Sequence, residues 1–231
     1  MQKNTTFSKR NSKKRFGTFL IRFLLLCAIS LVVILIIVGG LLYKRYSDWE
    51  LQFNDAHLST DFMYVGSDEF QESQVALTEK LTEFQNSSER VDFIELNPNE
   101  LISLVHSTIQ PENVEISPEQ QNWQIIRYYV EPSQNSWEIY VEIAYMRRIL
   151  PWITVQVVKD PIESAELYFS KVSIGDIDLD GIGLGKIRSG LNDGYSKALS
   201  SINESGYTGR SWQNIELEDD GIVIKGELLS Q

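Results

Sequence analysis

Cysteine, histidine and any excess of positive charge are what this chain of 231 residues most lacks. The one cysteine, Cys27, lies in an apolar run, so the rest of the chain has neither a disulfide nor thiol chemistry and must be held together by core burial. His57 and His106 are the only histidines, and neither stands at zinc-ligand spacing from a second His, Cys or carboxylate. No GxSxG elbow or HExxH pair occurs, and no serine has a recognisable nucleophile context. A non-enzymatic protein without a cofactor is therefore expected. Residues 51–231 carry twelve basic and thirty acidic side chains, a formal charge of −18. Such a surface repels nucleic acid, which is excluded as a partner.

What is present is a charge-free stretch, FLLLCAISLVVILIIVGGLLY at 23–43. At ~1.5 Å per residue a helix of this length spans about 31 Å, close to the ~30 Å hydrocarbon layer of a bilayer. Fifteen of its residues are Leu, Ile, Val or Phe, each contributing roughly −0.3 to −0.6 kcal/mol to insertion. Lys3, Lys9, Arg10, Lys13, Lys14, Arg15 and Arg22 precede it without an acid, whereas only Lys44 and Arg45 follow it closely. The bias puts residues 1–22 in the cytoplasm as a basic tail, and the remainder outside a plasma membrane. The run is too long for a signal-peptide core and lacks a small-x-small cleavage site, so it reads as an uncleaved single-pass anchor. It also lacks a small-xxx-small pattern, leaving self-association without support.

Residues 44–68 show no sustained period and read as a juxtamembrane linker, with Trp49 near the headgroup level. Phe70, Leu77, Leu81 and Phe84 make one stripe of a helix over 69–89, either a stalk or the first helix of the outer domain. The linker and stalk are thus drawn over 44–87, and the domain over 88–231. In that domain 91–96 is a strand, and Asn97-Pro98 with Glu100 opens a helix burying Leu101, Leu104, Val105 and Ile109. Strands follow at 123–130, 137–146 (alternating, half-buried) and 152–159, then a further extended stretch at 167–184. A helix over 186–205 and a hairpin of 212–217 and 222–229 close the chain. The order predicts an α+β fold: a curved antiparallel sheet packed on two or three helices.

Three stretches bear on function, each with two readings. Asp176, Asp178 and Asp180 match half of an EF-hand loop, but Ile187 stands at the bidentate Glu position; they read as a polar-out strand or as weak calcium ligands. Arg147 and Arg148, followed by Ile149, Leu150, Pro151 and Trp152, suit a membrane interface or an anionic headgroup. Alternatively the arginines pair with glutamates while Leu150 and Trp152 enter the core. The helix 186–205 sets Gly190, Gly194 and Ala198 among Ile187, Leu191, Tyr195, Leu199 and Ile202. That stripe either packs closely or leaves a groove for an acyl chain.

The anchor, the Asn97-Pro98-Asn99-Glu100-Leu101 helix start, "VSIGDIDLDGIGLGKIRSGL" and the final "IELEDDGIVIKGEL" resemble the YpmS-type membrane-anchored exported proteins of bacteria. Their outer domains are similar to the tubular lipid-binding (TULIP-like) group, in which a long helix is wrapped by a curved sheet around an apolar seam. The resemblance covers residues 88–229 and carries no catalytic residues over. It implies a lipid or other apolar ligand near Leu104, Val105, Gly190, Leu191, Gly194, Tyr195 and Leu199. The competing expectation is a structural or assembly role, docking on another protein of the envelope.

Overall fold

The computed structural model describes residues 10–109, 123–160, 165–186, 188–190, 192–193 and 209–228. The chain divides into two compact units, Met1–Asp48 and Trp49–Gln231. The first consists of most of helix α1 (Arg10–Ala56), which therefore begins inside the expected basic tail rather than after it. This helix is long and apolar enough to cross a membrane, and Leu31, Ile34, Leu35, Val38 and Leu41 all stand exposed along it.

The second unit is α+β and its sheets are antiparallel throughout. Helix α2 (Asp68–Asn86) starts where Ser67 accepts the Phe70 N–H at 3.2 Å, with Asp68 and Glu69 in the first turn to meet the positive end of the helix. Phe70, Leu77, Leu81 and Phe84 are its buried residues, the stripe read from the sequence. Helix α3 (Pro98–Ile109) opens on a reciprocal cap. Asn97 Oδ1 accepts the Glu100 N–H at 2.9 Å, and Glu100 Oε2 accepts the Asn97 N–H at 2.8 Å. The Lys80 ammonium, 2.7 Å away, neutralises the buried Glu100 carboxylate.

Two sheets form where one was expected. Strands β1 (Met63–Tyr64), β3 (Trp123–Ser133), β4 (Ser136–Tyr145), β6 (Ile153–Lys159), β7 (Leu167–Ile174) and β8 (Ile177–Asp178) run in that order, with β5 (Arg148–Ile149) paired beside β4. The second sheet is β2 (Val91–Leu96), β10 (Ile222–Leu228) and β9 (Arg210–Leu217), in which the closing hairpin adds to the early strand, not to the meander. Stretch 167–184 is a hairpin with a turn at Gly175, not one extended strand. At the edge of β7 the Asn192 side chain stands in for a strand partner: its Oδ1 accepts the Phe169 N–H at 2.7 Å and its Nδ2 donates to the Phe169 carbonyl at 3.0 Å. Residues 185, 186, 188–190, 192 and 193 are helical; the rest of the expected 186–205 helix lies outside the described residues.

The main core joins both sheets to the helices. Trp137, Ile139 and Val157 meet Ile94, Leu96, Trp212, Ile215, Ile222 and Ile224, together with Leu77, Leu81 and Phe84 of α2 and Leu101 and Leu104 of α3. The other face of β4 is not the solvated one that a half-buried strand implies. It carries a second apolar cluster, whose members from 49–62 belong to the stretch read as a linker.

The end of α2 is closed from far away in sequence. The guanidinium of Arg210, fully buried, donates to the carbonyls of Phe84 at 2.6 Å, Ser87 at 2.7 Å and Glu89 at 3.0 Å, while lying 5.0 Å over the Phe84 ring. These include carbonyls that a helix C-terminus leaves without partners. Arg210→Met fills the volume but strands three oxygens, so it is expected to cost about 3–5 kcal/mol in urea unfolding of the full chain in mild detergent. Arg90→Met, at an exposed pair with Glu227, should cost less than about 1 kcal/mol. Hydrogen bonds from Ser87 and from the Phe93 N–H hold the Asp92 carboxyl below its ordinary value. A lowered folded-state pKa gives stability above the unfolded value of ~3.9 and loses it as pH falls through the folded one. Asp92→Asn should therefore be destabilising at pH 7, with the deficit shrinking as the pH falls below the unfolded value of ~3.9.

Candidate functional site

Trp49 and Phe53 from the last turns of α1, with Phe62 after it, lie against Tyr129 of β3, Tyr140 of β4 and Trp152 before β6. Phe53 is the hub: its ring centroid is 4.7 Å from Tyr140, 5.0 Å from Trp49 and 5.4 Å from Trp152. His57 follows one helical turn later, 4.4 Å from Tyr129, so the segment crosses the strands from β7 towards β3. At the β7 end Gly175 has φ +59°, and a Cβ there would come within 2.6 Å of the Trp49 ring. Only glycine meets both demands.

One cation is built into this cluster. Arg127 of β3 has its Cζ 4.8 Å from the Trp152 ring centroid and 4.9 Å from that of Phe62, and its Nε donates to Glu142 Oε2 at 3.0 Å. Burial works against its charge, but the hydrogen bond and charge of Glu142 outweigh it and hold the guanidinium above its ordinary value. The partner carboxylate is thereby kept beside an aromatic cluster. Burial also raises the Tyr140 phenol, whose hydroxyl donates to Glu138 at 2.7 Å.

Above this seat β4 runs on into a two-residue turn. Met146 and Arg147 both take left-handed backbone, at φ 48° and 64°. Tight hairpins require that geometry and usually meet it with Asn-Gly, so this turn stores roughly 1 kcal/mol or more at each position. Ala144 pairs with Ile149, Tyr145 with Arg148, and the Leu150 N–H donates to the Ile143 carbonyl at 2.9 Å. The projection is thus a continuation of a central strand. Met146 is 58% and Ile149 65% exposed; Arg147 and Arg148 are exposed between them. Among the described residues neither arginine has an acidic partner within ion-pair distance.

The four residues read as a headgroup contact are therefore divided between surface and interior. Arg147 and Arg148 stand where the sequence put them, but Trp152 is 1% exposed and stacks on Arg127, and Leu150 is half-buried. Met146 and Ile149 take their places at the surface. Both flank the cation pair in the sequence; the signal for Met146 was the turn itself, since two residues between paired strands face outward whatever their polarity, and Ile149 lies in the short strand that follows.

The apolar seam fares differently. Leu104 belongs to the main core and Val105 is half-buried. Gly190 is exposed, with open space where a Cβ would stand. Leu191, Gly194, Tyr195 and Leu199 lie outside the described residues. Asp176, Asp178 and Asp180 do not converge on a cation position. Asp178 Oδ1 accepts the Asp180 N–H at 2.9 Å, Asp180 Oδ2 is 2.8 Å from Arg188 Nε, and no cluster of three candidate ligands exists among the described residues.

Phe53→Ala removes the hub of the seat and is expected to cost about 3–5 kcal/mol, seen as an earlier urea midpoint and a loss of near-ultraviolet dichroism from the stacked rings. A chain beginning at residue 60 lacks Trp49 and Phe53 and should show the same spectral loss, whereas one beginning at residue 44 keeps the spectrum. Comparison with family models, with curated proteins and with solved structures gives no match.

Proposed function

We propose that this chain is a single-pass, membrane-anchored module whose α+β unit stands outside the plasma membrane of a bacterium and binds lipid or another apolar ligand without catalysis. The observation that carries the reading is α1, a helix long and apolar enough to cross a membrane, followed in the chain by the folded unit Trp49–Gln231. The cation bias around residues 23–43 gives the orientation. Tethering raises the effective concentration of membrane lipid at the unit to the millimolar range, so a weak lipid site is occupied without a deep cavity. The TULIP-like resemblance supplies the finer picture, a curved sheet around helices with an apolar seam along the 186–205 helix.

A second reading is favoured by one feature of the smaller sheet. Phe93, 61% exposed, and Val91 stand on the outer face of β2, an edge strand, which suits docking on another envelope protein. Native mass spectrometry of the full chain released from nanodiscs separates the two. Retained lipid is expected, and Gly194→Leu should reduce it at least tenfold without moving the melting temperature if the seam holds the ligand. A lipid-free mass with a co-purifying protein, lost in Phe93→Ser, would establish the docking role instead. Protease added to intact cells should digest the unit and spare the basic leader; the reverse pattern overturns the orientation.

A further inference from the structure

Residues 146–149 combine four properties that no other described surface combines: apolar side chains, cations without acidic partners, backbone strain and projection from a central strand. From this we infer that the hairpin tip enters the anionic headgroup layer of the membrane holding the anchor, Arg147 and Arg148 binding lipid phosphates while Met146 and Ile149 dip beneath them. The inference rests on the tethered reading above and names the ligand chemistry of that unit.

Charge makes the first argument. In a stretch of formal charge −18, two adjacent exposed arginines stand out from their surroundings, and screening over ~8 Å lets a projecting tip meet an anionic surface while the more distant carboxylates are damped. Guanidinium groups suit phosphate, because their planar donors match two of its oxygens at once. Side-chain chemistry makes the second. Met146 and Ile149 gain nothing from water, and they bracket the arginines as apolar residues bracket cations in interfacial membrane segments. The backbone makes the third. Met146 and Arg147 hold left-handed geometry that Asn-Gly would adopt with less strain, and such strain in non-glycine residues marks positions kept for their side chains. The tip is also pre-formed: pairing with β5 and the Leu150 N–H bond to the Ile143 carbonyl fix its shape before contact, so little entropy is lost on binding.

The test uses the full chain in nanodiscs, with Cys27→Ser and Ile149→Cys carrying an environment-sensitive fluorophore. In discs of phosphatidylcholine with phosphatidylglycerol the probe should emit at shorter wavelength and be quenched by lipids bearing a doxyl group near the glycerol. Adding Arg147→Glu and Arg148→Glu should lower the quenched fraction by about 25-fold, as should discs of phosphatidylcholine alone, each cation contributing on the order of a fivefold factor at such a surface. Thermal melts of these variants should match the parent, the four residues being exposed. A probe that stays water-like in the anionic discs, or quenching indifferent to the charge reversals, overturns the inference. Failure of the chain to co-elute with the discs would instead sink the tether, so the two outcomes are told apart in one preparation.

Discussion

A sheet with apolar side chains on both faces has to be covered twice, and the second cover here comes from the residues that lead into the unit. Strand β4 sends Trp137 and Ile139 into the main core and Tyr140 to the opposite side. Water is kept from that side by Trp49, Phe53 and Phe62. Burying three aromatic side chains is worth several kcal/mol, comparable to the whole net stability of a domain. The folded unit therefore begins at Trp49, and the segment that looks like a tether is one of its layers.

Local signals in the sequence gave much of the element list. The Phe70, Leu77, Leu81, Phe84 stripe, the Asn97-Pro98-Asn99-Glu100 helix start and the Glu-Asp-Asp-Gly turn each depend on neighbours a few residues away, and each element formed where the pattern placed it. Long-range choices were not legible. Nothing in 210–228 says that its hairpin pairs with β2 instead of extending the meander, because a strand's alternation names a face and not a partner. Trp49, Phe53 and Phe62 are spaced four and nine apart across the end of a helix and a loop, a pattern without period, and period is what the eye counts.

The same limit governs the site. Arginines 147 and 148 are visible as a basic spot in an acidic chain, but whether Leu150 and Trp152 or Met146 and Ile149 accompany them at the surface depends on where the turn falls. Met146 and Arg147 are poor candidates for left-handed backbone, so the turn hides in the sequence. Once it is placed, the side chains sort themselves: Trp152 is buried against Arg127, and residues 146–149 are exposed.

The closure of α2 by Arg210, and the pairing of β2 with β10, bear on how the chain matures. Strand β2 precedes its partner β10 by more than a hundred residues, and its backbone edge stays unmatched until that hairpin arrives. Contacts so distant in sequence slow folding, and an unpaired edge invites association with other chains. One late segment, 210–228, therefore closes both the end of α2 and the open side of β2, so losing it would leave two distant parts of the unit unfinished at once.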